Sequence, residues 1–118
     1  MQIKICNLYA HIGQTVELKD LGEHVPNGIY IILSKEEYGI EVGNLLTREV
    51  VVVEDYDEET EARLVDYTVN LKELINFKLA NIVNLLAEGW RVGNKRFCNL
   101  SPQIAEYGTL LLIKKLGA

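Results

Sequence analysis

Arg91, Asn94, Lys95, Arg96 and Phe97 fall within one short stretch, GWRVGNKRF. The guanidinium fork of an arginine grips phosphate oxygens with paired hydrogen bonds, and an asparagine amide reads acceptors and donors on a base edge. An aromatic ring stacks on a base face. All three types together suit a small anionic ligand of nucleotide type. The competing reading is a solvated strand face set against acidic residues elsewhere.

Other chemistry is poorly provided for. Ser34 and Ser101 have no nucleophile motif around them, and no Cys-His signature accompanies Cys6 or Cys98. His11 and His24 sit in predicted loops, where a lone histidine is usually solvated. No glycine-rich loop opens a helix in the way a phosphate site requires. The run Asp55-Tyr56-Asp57-Glu58-Glu59 spaces oxygens as a calcium loop does, with Asp66 at its twelfth place, but Thr60 stands where that loop needs glycine. The cysteines have no metal-ligand spacing. The expectation is a non-catalytic protein with no cofactor and no metal.

Charge is divided along the chain. Residues 1–77 hold six Lys/Arg against fifteen Asp/Glu, whereas residues 78–118 hold six against two, within a net charge of −5. The positive end can draw in an anion, and opposite ends can draw two copies together. A general DNA or RNA binder needs a broad basic face, which this composition does not offer. The chain of 118 residues is 48% hydrophobic, ordinary for one globular domain, expected to span 1–118. No apolar run is long enough to cross a bilayer, and the start MQIKICNLYA is unlike a signal peptide, so a cytoplasmic location and no membrane partner are expected.

The elements that must position these residues read as α+β. Ile3–Cys6, Thr15–Leu18, Ile29–Leu33, Tyr38–Leu46 and Glu49–Glu54 read as strands, the last through its four valines. Pro26-Asn27-Gly28 is a turn. Leu64–Val69 should pair back on the valine strand as a hairpin. One long helix begins after Asn70, with Glu73 at capping-box spacing, and Gly89 is placed to end it. Leu71, Leu74, Ile75, Leu79, Ile82, Val83, Leu85 and Leu86 cover nearly half its circumference, with Lys78 at the edge. Phe77 falls among Glu73, Asn81, Asn84 and Glu88 on the polar side. Strands from Trp90 and over Thr109–Ile113 should come after the helix. The expected architecture is a mainly antiparallel sheet of six to eight strands with one long helix packed across it.

Two resemblances come from these elements. From Glu49 onward the order of strand, hairpin, helix, Ala87-Glu88-Gly89-Trp90, strand and a last strand ending Ile113-Lys114-Lys115 resembles a family of short bacterial and phage domains of unknown function. The likeness covers the second half and carries no catalytic residues across. The stretch GQTVELKDLGEHVPNGIYIIL looks like the strand, long loop and strand of SH3-like domains.

The preferred expectation is a homo-oligomer that sequesters a nucleotide-like signalling ligand, as a phage counter-defence protein would. Arg91, Asn94, Lys95, Arg96 and Phe97 are its candidate ligand residues. Phe77, Asn81 and Asn84 are its candidate subunit interface or secondary ligand contact. The alternatives are a protein inhibitor that presents an acidic surface and a structural or assembly protein.

Overall fold

The computed structural model describes residues 2–54, 62–92 and 100–117. The chain is α+β, and it divides into two compact units, Met1–Glu73 and Leu74–Ala118.

The first unit is β. Strands β1 (Ile3–Ile5) and β2 (Leu8–Ala10) form a hairpin. β3 (Thr15–Leu18), β4 (Gly28–Glu36), β5 (Gly39–Asn44), β6 (Val50–Val53) and β7 (Ala62–Leu64) form an antiparallel sheet in the order β6-β5-β4-β3-β7. The strands expected on either side of the loop 19–27 are present as β3 and β4. The expected hairpin of Leu64–Val69 on the valine strand does not form. Instead β7 begins at Ala62 and pairs with β3, placing Arg63 opposite Glu17 and Ala62 opposite Leu18. A side-chain ion pair, Arg63 Nε to Glu17 Oε1 at 3.3 Å, fits that register.

The core lies between these strands. Ile3, Ile5, Val16, Leu18, Val25, Tyr30, Ile32, Ile40, Val42 and Val53 are buried. Tyr30 keeps its ring inside because its hydroxyl donates to the Pro26 carbonyl at 2.5 Å; a buried phenol needs such a partner. The buried Gln14 ties the segment leading into β3 to the segment after β7. Its side-chain oxygen accepts from the His11 backbone N–H at 2.8 Å, and its amide donates to the Tyr67 carbonyl at 2.7 Å. A bulge in β4 lies between Ile32 and Ser34. At Gly39 the φ is +149°, and a Cβ there would stand 2.5 Å from the Val53 carbonyl oxygen.

The described residues hold two helices where one was expected: α1 (Leu71–Val92) and α2 (Leu100–Gly117). Asn70 caps α1 as read, its Oδ1 accepting from the Glu73 N–H at 3.3 Å. The Glu73 carboxylate, however, pairs with Arg48. Gly89 does not stop α1, which runs through Trp90 and Arg91 to Val92. A single glycine costs a helix about 1 kcal/mol and does not break it. The strand expected over Thr109–Ile113 is helical. Its leucines are good helix formers, and a short apolar run alone does not separate strand from buried helix. Pro102 lies in the first turn of α2, where its missing N–H leaves no hydrogen bond unmade.

Candidate functional site

The expected ligand residues divide sharply. Arg91 lies in the last turn of α1 rather than on a strand. Asn94, Lys95, Arg96 and Phe97 lie outside the described residues, as do Cys98 and the acidic run 55–61.

The second group of candidates lies on α1. Phe77 is only 5% exposed, which corrects its placing among exposed polar residues. The buried side chains of α1 are Leu74, Ile75, Phe77, Lys78 and Ile82, whereas Leu79, Val83 and Leu86 are exposed. The buried face is thus turned toward Phe77, and one flank of the expected apolar arc faces out. Lys78 is drawn in as well. Its ammonium meets Glu106 of α2 at 3.0 Å. Asn81 donates from its amide to Gln103 Oε1 at 3.1 Å, so it joins α1 to α2. Asn84 is exposed.

The helix α2 carries apolar side chains on every side, interspersed with Gln103, Glu106, Lys114 and Lys115. At about 100° per residue, Ile104 and Leu111 mark one side, Leu112 and Leu116 the next, Ile113 the third, and Leu110 and Tyr107 the last. Ile104, Leu111, Leu112, Ile113 and Leu116 are exposed, Leu116 at 78%. Sequence reasoning missed this face because it read the same leucines as a strand. Among the described residues, no helix is long and apolar enough to cross a membrane.

Polar groups in the first unit serve the fold. The Asp66 carboxylate accepts from the Thr68 N–H at 2.9 Å, and that bond holds its pKa below the usual carboxylate value. The hydrogen bond from Arg63 lowers that of Glu17. His11 and His24 are exposed. Among the described residues, no three His, Cys, Asp or Glu side chains gather in a metal-binding group.

The first unit holds an open cleft. Asn27, Gly28, Ile29, Asn44, Leu45 and Leu46 line it, and its volume is about 430 Å³. Asn44 is 6% exposed. Its Oδ1 accepts from the backbone N–H groups of Leu46 at 2.8 Å and Thr47 at 3.0 Å. These bonds shape the turn after β5 and fix which end of the amide is oxygen. The sequence carried a faint signal for this device, an asparagine at the end of a strand with a threonine three residues later. The residues that face it across the cleft come from the distant start of β4.

No family model, curated protein or solved structure matches the chain.

Proposed function

We propose that the protein is a non-catalytic assembly module that associates with copies of itself through the helices α1 and α2. The observation that carries this reading is the exposed apolar surface of α2, from Ile104 to Leu116. Exposed apolar side chains gathered along one helix mark an interaction surface. The stripe Leu79, Val83 and Leu86 on α1 adds to the same demand for cover.

Charge supports a second copy as that cover. The helical unit carries six Lys/Arg against two Asp/Glu, and the β unit six against fifteen. Each copy therefore offers both members of a complementary pair, and closed symmetry, with a dimer commonest, is the default for such self-association. Sedimentation velocity at about 50 μM should give a dimer or larger species, since obligate interfaces are mostly micromolar or tighter. The pair Leu112→Glu with Leu116→Glu should give a monomer that keeps its helical circular dichroism. A parent protein that sediments as a monomer at that concentration overturns the reading.

A second reading is favoured by the cations of residues 78–118. Here Arg91, Asn94, Lys95, Arg96 and Phe97 hold a small anionic, nucleotide-like ligand. Calorimetric titration with linear and cyclic nucleotides tests it. Arg91→Ala with Arg96→Ala should weaken binding by about a hundredfold, since two charge-assisted hydrogen bonds are lost. No heat from any nucleotide at millimolar concentration removes this second reading and leaves the first standing.

A further inference from the structure

We propose that the cleft between the start of β4 at Asn27-Gly28 and the turn at Asn44-Leu45-Leu46 is a binding site for an extended, uncharged apolar peptide segment, with the amide of Asn44 donating to a backbone carbonyl of that peptide.

The argument begins with the amide. Both hydrogen bonds made by Asn44 use its oxygen. The Nδ2 end carries two hydrogens, and among the described residues neither has a protein acceptor. The residue is 6% exposed and lines the cleft, and Nδ2 is not among the buried side-chain atoms left without a partner, so it opens to the cleft. Such a donor can exchange its water for a carbonyl oxygen delivered beside an apolar floor.

The opposite wall leaves this end of the amide accessible. A Cβ at Gly28 would stand 3.5 Å from Asn44 Nδ2, so glycine keeps the space beside the donor clear. Asn27 is anchored in the same sense. Its Oδ1 accepts from the Asp20 N–H at 2.9 Å, which leaves its Nδ2 as the end without a partner among the described residues. Both amides in the lining are therefore engaged through oxygen and offer N–H.

The remaining lining selects the body of the ligand. Ile29, Leu45 and Leu46 are apolar, and Leu46 is 90% exposed. Among the described residues no charged side chain lines the cleft, so an ion there would lack a counter-charge. Donors beside an apolar floor match a chain that repeats carbonyl oxygens between apolar side chains. The cleft volume of about 430 Å³ lies in the range of small-ligand sites.

The test uses the full chain and N-acetyl-leucinamide as the probe, followed by two-dimensional ¹H–¹⁵N NMR. The Asn44 side-chain NH₂ pair and the backbone amides of Gly28 and Leu46 should shift together and saturate in the millimolar range. Free leucine, which is charged at both ends, should shift them at least fivefold less at equal concentration, since charge is penalised in a site without counter-ions. Asn44→Asp keeps the oxygen that holds the turn and removes the donor. It should weaken the probe about fivefold or more, as expected for one lost hydrogen bond. Leu46→Ser alters an exposed side chain, keeps the fold, and should weaken the probe even if the aspartate variant proves unstable. The proposal is overturned if no saturable shift occurs at these three residues, or if both variants bind the probe as the parent does.

Discussion

The Lys78 ammonium lies 3.0 Å from the Glu106 carboxylate, with 11% of the lysine side chain exposed and 47% of the glutamate. The pair joins α1 to α2 inside the helical unit. An inward lysine that loses its partner leaves an uncompensated charge, whereas replacing the lysine by an apolar side chain of similar length removes the need for a partner. Glu106→Gln should therefore destabilise the protein by about 1 kcal/mol, reduced from the fully buried case because the glutamate is half exposed. Lys78→Met should be neutral or stabilising. Urea denaturation followed at 222 nm checks both, and equal losses from the two changes would contradict this account.

Phe77 and Leu112 should behave as opposites. Phe77 is 5% exposed and Leu112 55%. Phe77→Ala should cost about 3–5 kcal/mol through lost burial and the cavity left behind. Leu112→Glu should cost less than about 0.5 kcal/mol in a monomer, as exposed substitutions generally do. In sedimentation the effects reverse, with Leu112→Glu shifting the protein toward monomer. A destabilising Leu112 change with unaltered sedimentation would show that α2 is covered within its own chain.

Gly39 and Gly28 differ in what a methyl group would meet. At Gly39 it would stand 2.5 Å from a backbone oxygen of Val53, at a φ of +149°. Gly39→Ala should lower the melting temperature by more than 10 °C, about 2 kcal/mol or more for a chain of this size. At Gly28 the nearest atoms are 3.5 and 3.8 Å away, ordinary contact distances. Gly28→Ala should leave stability unchanged or raise it by about 0.4–1 kcal/mol, because alanine restricts the unfolded chain. Differential scanning calorimetry of the two variants separates these outcomes.

Tyr38 gives the fold a dependence on alkaline pH. Its hydroxyl donates to Glu41 Oε1 at 2.6 Å, and this bond, helped by partial burial and the charges of Glu41 and Glu36, pushes its pKa up to about 12. An unfolded tyrosine ionises near pH 10. The folded state therefore holds the proton more tightly, so the stabilisation is complete below pH 10 and is lost as pH rises through about 12. The ring is 59% exposed, so the contribution is small. Absorbance titration at 295 nm should show a phenol ionising near pH 12 that is missing in Tyr38→Phe. The stability of that variant should fall less steeply between pH 10 and 12.

The sequence by itself determined the elements whose signals are local. The valines of β6, the strand β3 and the Asn70 cap depend on neighbours within a few residues, and each is present; the turn expected at Pro26-Asn27-Gly28 closes earlier, from Gly22 to Val25, and Gly28 opens β4. The division of charge was legible too, and it follows the two compact units. Only the tertiary structure decided the pairing of β7, because strands on the same chain offer nearly equivalent backbone partners and the choice between β6 and β3 is made by long-range packing. It also decided the fate of the run Leu110–Ile113. Four apolar residues fit a buried strand or a helix equally well, and the outcome is an 18-residue helix that begins well before them. The turned face of α1 has the same origin. Periodicity showed how wide the apolar arc was, but which part of it is buried depended on where Lys78 and Asn81 found Glu106 and Gln103. The cleft at Asn44 was beyond sequence reasoning for a related reason. Its lining comes from two stretches far apart in sequence, Asn27-Gly28-Ile29 and Asn44-Leu45-Leu46, and only the pairing of β4 with β5 brings them together.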